Sequence, residues 1–251
     1  MSEKAKSYFE IHAHNYLHDW EWYPLIINEI KNIEDNIVEK QRDDEKVLDV
    51  GCGNGSFIKA LIEANVKAHY FATDISFTMI RKSRENLDGY NVELFTADAF
   101  KIPLKSNVKF DIIHMDSVLH HLIGKTRGKS INLIKKMVEL LTSKLTDNGI
   151  LIVEEVYYGS PFISQFTSFV VFYGLKLINF LKLDLSSFTK EIKPGLEVNF
   201  LHEKQLVTIL SQYGSTYLLY KHPWNIPKSY KLFLLKEFGH ITYILKNASR
   251  V

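Results

Sequence analysis

The sequence predicts a doubly wound α/β fold around a mostly parallel sheet. Three observations point to it. Short apolar segments alternate with segments of helical periodicity from about residue 45 to residue 155. The short segments are apolar at consecutive positions, as strands are when both faces of their sheet are covered. A glycine-rich turn then joins the first such strand directly to a helix, the arrangement that nucleotide-binding sheets use.

Taken in order, KVLDVGCGNG is a buried strand running into that turn, and SFIKALIEA is the helix after it. AHYFATDIS and FTMIRKSREN form the next strand and helix, VELFTADAF a third strand and FDIIHM a fourth. INLIKKMVELLTSKL repeats apolar residues at Ile131, Ile134, Val138, Leu141 and Leu145, one face of a helix. TDNG is a turn, and ILIVEEV a fifth strand. HEKQLVTILSQYG is a later helix, while STYLLYKHPW and LFLLKEFGHITYILKN read as two closing strands that pair antiparallel. Residues 1–44 read as an aromatic, helical lid ending in the charged linker EKQRDDEK. Residues 45–251 are the main domain, with a helical insertion at about 160–198.

Composition narrows the function. The chain has 251 residues, 46% hydrophobic and 24% charged, enough for a real core. Its 31 basic and 29 acidic side chains leave a formal charge of +2. A phosphate-gripping protein carries a stronger, clustered basic excess, so nucleic acid is not the expected partner. Cys52 stands alone, which rules out an internal disulfide or a thiolate metal cluster and fits a reducing cytoplasm. The start, MSEKAKSYFEIHAHNYLHDWEW, has no apolar core of a secretory signal. Val156 to Leu175 is free of charge, but Ser160, Pro161, Ser164, Gln165, Thr167, Ser168 and Gly174 make it a poor membrane span. A buried or interfacial helix is expected there instead.

The turn Asp49-Val-Gly51-Cys-Gly53-Asn-Gly55 lets backbone approach a ligand closely. Its spacing is G-x-G-x-G rather than the dinucleotide G-x-G-x-x-G, and Asp49 precedes it. A pyrophosphate would repel Asp49, whereas a cationic sulfonium with a free amino group would be attracted. Asp74 closes the second strand, where a carboxylate accepts hydrogen bonds from ribose hydroxyls or caps the next helix. Asp98, expected at the end of the third strand, is placed to accept the exocyclic amine of adenine, with Phe100 or Met79 against the ring.

VLDVGCGNGSF, ATDISFTMI, TADAFKIPL and FDIIHMDSVLHHL resemble the successive motifs of the class I S-adenosylmethionine (SAM)-dependent methyltransferases. The likeness is strongest to the branch containing quinone-biosynthesis and small-molecule enzymes, and it covers about residues 45–155. It implies a seven-stranded sheet whose last strand is antiparallel, with SAM as donor, S-adenosylhomocysteine as product and no metal. It also implies Asp49 and Gly51 near the methionine amino group, with Gly53 and Gly55 completing the turn. Asp74 and Ile75 would lie at the ribose, Asp98 and the Ala99 amide at the adenine, and Met115 or Asp116 beside the methionine moiety.

For the transfer step, His120, His121 and Glu154 are candidate bases, with Glu155, Tyr157 and Tyr158 behind them. Strand alternation would turn one of the two glutamates outward. His12, His14 and His18 read as part of the lid, with Tyr16, Trp20 and Tyr23 closing over the cofactor. The segment 162–183 is a core helix, an apolar acceptor wall or a shallow contact with a membrane surface. The absence of N-P-P-Y or D-P-P-Y, and of a cysteine after the fourth strand, disfavours amino-group and cytosine C5 methylation. The leading expectation is methyl transfer to a small apolar or aromatic acceptor. The competing ones are a nicotinamide-dependent dehydrogenase, a SAM-binding scaffold, and a methyltransferase acting on RNA or protein.

Overall fold

The computed structural model describes residues 3–12, 21–35, 45–160, 164–183, 197–225 and 235–247. Five parallel strands form one half of the sheet: β1 (Lys46–Val50), β2 (His69–Asp74), β3 (Val92–Thr96), β4 (Phe110–Asp116) and β5 (Leu145–Gly159). β7 (Gly214–Pro223) and β8 (Glu237–Asn247) complete the row in the order β3-β2-β1-β4-β5-β8-β7. β8 runs antiparallel to both neighbours, as expected of the last strand.

The sheet has eight strands rather than seven. The extra one, β6 (Leu201–His202), pairs its two residues with Tyr157 and Tyr158 at the far end of β5. Two residues are too few to show alternation, so nothing in NFLHEK marks them. The expected TDNG turn is also absent as such. Residues 146–149 lie inside β5, and the pairing with β4 slips there between Phe110 and Ile112.

Both faces of the sheet are covered, which explains the unbroken apolar strands. On one face Leu48, Val50, Ile113, Met115, Leu151 and Val153 meet α5 (Arg127–Ser143) and α7 (Glu203–Leu210). On the other, Val47, Tyr70, Ala72, Ile112, Ile150 and Ile152 meet α2 (Tyr23–Asp35), α3 (Ser56–Glu63) and α4 (Phe77–Asn86). Ile134, Val138 and Leu141 of the predicted stripe are fully buried on α5, joined by Met137, whereas Ile131 is only partly buried and Leu145 lies beyond the helix as the first residue of β5. Two-sided cover also overturns one expectation: Glu154 and Glu155 are both fully buried, and neither points outward.

Helices α1 (Glu3–His12) and α6 (Ser164–Phe180) extend the carboxyl-end side of the sheet. Tyr8 of α1 and Val171 of α6 join Val156, Tyr158, Phe200 and Phe238 in a third apolar cluster beyond β5. Residues 13–20, with His14, Tyr16, His18 and Trp20, lie outside the described residues, as does the linker from 36 to 44 and the stretch 184–196 of the insertion.

Candidate active site

The glycine turn leaves β1 in a left-handed conformation, with φ of 77° at Gly51, 54° at Gly53 and 79° at Gly55. Residues with a Cβ pay an energetic penalty there. The amides of Gly51 and Cys52 both donate to the Thr73 carbonyl, at 2.7 and 3.0 Å, tying the turn to the end of β2. A Cβ on Gly51 would lie 2.4 Å from Val118 Cγ2, whereas one on Gly53 would meet nothing within 4 Å. Gly51 thus closes the turn against the fold, and Gly53 faces open space. Gly51→Ala is expected to lower stability by about 1–3 kcal/mol through overpacking and strain, measured by chemical denaturation.

Asp74 ends β2 beside this turn. Its Oδ2 accepts the Gly53 amide at 3.1 Å and its Oδ1 accepts the Ser76 amide at 2.8 Å. The helix cap belongs to Ser76, whose Oγ accepts the Met79 amide at 3.2 Å, so Asp74 is not the cap of α4. Burial pushes the Asp74 carboxyl up to about 6; the two amides hold it lower, and Asp49 and Glu10 add to the rise. Asp98 lies two residues past the end of β3 rather than on it, and accepts the Phe100 amide at 3.0 Å. Ala99 and Phe100 pack partly buried against the core. Ile75 is half-buried next to Asp74, while Met79 is buried in α4. Asp74 thus ends β2, Asp98 lies just beyond β3, and Asp49 lies buried one residue before the end of β1, next to an open glycine turn. That fits a nucleoside carrying a positive charge.

Asp49 is tied into a polar chain that crosses the sheet. It lies beside His114 in the β1–β4 register. Asp49 Oδ1 is 2.8 Å from His114 Nδ1, and His114 Nε2 is 2.7 Å from Glu154 Oε1. Glu154 Oε2 accepts from Trp22 Nε1, and Thr242 Oγ1 approaches it at 3.4 Å. The His114 ring stacks on Phe57, with centroids 3.7 Å apart. Burial alone would lower the His114 pKa, but Asp49 and Glu154 reverse this and raise it to about 10. An imidazolium therefore sits between two buried carboxylates. Two residues further along β4, Asp116 Oδ1 lies 3.1 Å from His240 Nε2, and His240 stacks under Trp22 at 4.7 Å. Burial would raise Asp116, yet His240 and then His114 outweigh it and hold the carboxyl at about 2.

The three residues expected to act as bases are all buried. Glu154 belongs to the chain just described. His120 bonds through Nδ1 to Glu155 and donates its backbone amide to the same carboxylate at 3.1 Å. His121 packs against His120, with ring centroids 3.9 Å apart. Burial, and next His120, hold the His121 pKa well below its usual value. Tyr157 donates to Glu237, and Tyr158 donates to Ser168 at 2.6 Å. Met115 is fully buried in the core. His114, His240 and Trp22 were missed from the sequence. The available signal was a histidine inside an otherwise apolar strand, FDIIHM and FGHITYIL, where a buried polar group requires a partner.

The Rossmann-like sheet and the matching family model define the class, that of the class I SAM-dependent methyltransferases. The family described as "Methyltransferase domain" matches residues 41–195, and the chain belongs to that family. A 77-residue stretch is 34% identical to the malonyl-[acyl-carrier protein] O-methyltransferase of Legionella pneumophila, covering 30% of this chain and 26% of that relative. Among solved structures, YcgJ of Bacillus subtilis superposes with a TM-score of 0.60 at 14% identity, covering 90% of this chain and 97% of that one. An S-adenosylmethionine-dependent methyltransferase from Clostridium acetobutylicum gives 0.56 at 17%, covering 96% of each. At these identities the superpositions speak for the fold.

Proposed function

We propose that the chain binds SAM at the carboxyl ends of β1, β2 and β3 and transfers its methyl group to a small apolar or aromatic acceptor. The observation that carries this reading is that Asp49, Asp74 and Asp98 lie near the carboxyl ends of the neighbouring strands β1, β2 and β3, with the open Gly53 bonded to Asp74. In it, Asp49 and Gly51 receive the amino group of the methionine moiety. Asp74, with Ile75 beside it, receives the ribose; Asp98, Ala99 and Phe100 receive the adenine. Asp116 borders the methionine moiety, held there by His240. When bound, SAM supplies a methyl on a positively charged sulfur, electrophilic enough that the protein need offer no covalent nucleophile.

The remaining work is alignment, and a rigid site is suited to it because near-attack geometry supplies on the order of 7–11 kcal/mol. The His114 chain fixes Asp49 from behind, and Glu155 fixes His120 and the short turn Leu119–His121 at the end of β4. In this reading Glu154 and His120 are positioning residues. His121 stays neutral but is a weak base. α1 acts as a lid: Glu10 accepts the amides of Phe77 at 2.6 Å and Thr78 at 3.1 Å, joining the lid to the start of α4.

The test is incubation with methyl-labelled SAM, an organic-soluble panel of phenols and quinols, RNA and a protein mixture. Label is expected in the organic-soluble fraction. Transfer confined to RNA or protein would overturn the acceptor class, and saturable SAM binding without transfer to any of them would favour a scaffold.

A further inference from the structure

Helix α6 is apolar outward as well as inward. Its inward face carries Thr167 and Ser168, both buried, beside Val171 and Phe172. Their hydroxyls are satisfied internally, Tyr158 donating to Ser168 at 2.6 Å and Ser160 lying 2.7 Å from Thr167. The outward face carries Phe166, Phe169, Tyr173, Leu177 and Phe180, spaced three and four apart, so they form one stripe. Their exposure runs from 38% at Tyr173 to 81% at Phe180, and Leu181 and Leu183 continue the stripe past the helix end. An apolar surface of this continuity is a contact site in waiting.

Charge identifies the occupant. No acidic residue occurs from Val156 to Leu183, nor from Ser117 to Val138. The two segments touch, since Lys176 Nζ donates to the carbonyls of Gly124 and Lys125 at 3.2 and 3.0 Å. Lys125 and Lys129 are exposed beside that contact, and Lys182 is exposed beyond the helix. Aromatic and leucine side chains rimmed by lysine suit an anionic bilayer surface, into which an in-plane helix sinks its apolar face. Protein interfaces, by contrast, are depleted in lysine. Among the described residues no helix is long and apolar enough to cross a membrane, so the contact is lateral.

We infer that the outward face of α6, with its lysine rim, docks the protein on an anionic lipid surface. This rests on the methyltransferase reading and deepens it, because α6 packs beside the end of β5, so docking brings the carboxyl ends of the strands to the lipid. The acceptor is then a lipid or a molecule dissolved in one.

The experiment is sedimentation of the full chain with vesicles of phosphatidylcholine, alone or mixed with phosphatidylglycerol. The Phe169→Ser/Leu177→Ser and Lys125→Glu/Lys182→Glu variants are run alongside, and SAM binding is measured calorimetrically on every preparation. Binding to the anionic vesicles is expected, falling at least about tenfold in each variant, with SAM affinity unchanged. The lysine variant keeps the claim testable should the serine variant misfold. Equal sedimentation of variants and parent, or none by the parent, would overturn docking. A stable dimer in light scattering that Phe169→Ser/Leu177→Ser dissociates would give the face to a second copy and overturn it too. Absent SAM binding by the parent is a separate result, and it would strike the methyltransferase reading instead.

Discussion

Replacing His114 by leucine is expected to cost about 3–5 kcal/mol of unfolding free energy, because it leaves two buried carboxylates without their shared cation. Asp49 and Glu154 bond to opposite nitrogens of the same ring, at 2.8 and 2.7 Å, and both are buried. Leucine fills similar space against Phe57 but supplies no hydrogen bond. A pH series separates the charge from the packing. His114 is held at about 10, above its usual 6.5. Its stabilisation is therefore complete below about 6.5 and is lost as the pH rises through about 10. Urea denaturation should show the parent losing stability over that window and the leucine variant lacking this component. Equal stability of the two proteins at neutral pH would mean that the imidazolium does not hold the strands together.

The second large effect falls on the cofactor. Asp74→Ala is expected to weaken SAM binding by about 1–3 kcal/mol, roughly 5- to 150-fold, by removing charged hydrogen bonds. The sign of its pH dependence differs from that of His114. Burial raises the Asp74 carboxyl to about 6, so the carboxylate proposed to receive the ribose is lost as the pH falls through about 6. SAM affinity should decline over that range in the parent. Asp74→Asn, which cannot titrate, should bind weakly with a flatter profile. For the protein without cofactor the linkage runs the other way. Asp74 holds its proton more tightly folded than unfolded, so stability falls as the pH rises from about 4 to about 6. Calorimetric titration at several pH values reads the binding terms. An unchanged affinity in Asp74→Ala would remove Asp74 from the ribose.

The order of elements from residue 45 to 159 was legible because each obeys a local rule. FTMIRKSREN is α4 residue for residue, capped by Ser76, and Ile134, Val138 and Leu141 of the expected stripe lie on the buried face of α5. Asp49 was legible as an acid two residues before a glycine turn, and Asp74 as the acid that closes β2. Asp98 was displaced by two residues because strand ends are set by pairing with the neighbour, and β3 stops pairing at Thr96. What a linear reading could not give was anything built across the sheet. His114 meets Asp49 through the β1–β4 register, and His240 meets Asp116 only because β8 folds back antiparallel beside β5. The outward turn expected for one of Glu154 and Glu155 failed for the same reason, since alternation says nothing of what covers each face. The outward apolar stripe of α6 was hidden too, because Phe, Val and Leu occur all round that helix and only packing decides which of them is buried.

The most direct test is a crystal structure of the full chain with SAM or S-adenosylhomocysteine. The amino group is expected against Asp49, the ribose hydroxyls on Asp74 and the adenine amine at Asp98. An adenosyl group lodged anywhere other than the turn at Gly53, or contacting none of these three carboxylates, would contradict the assignment.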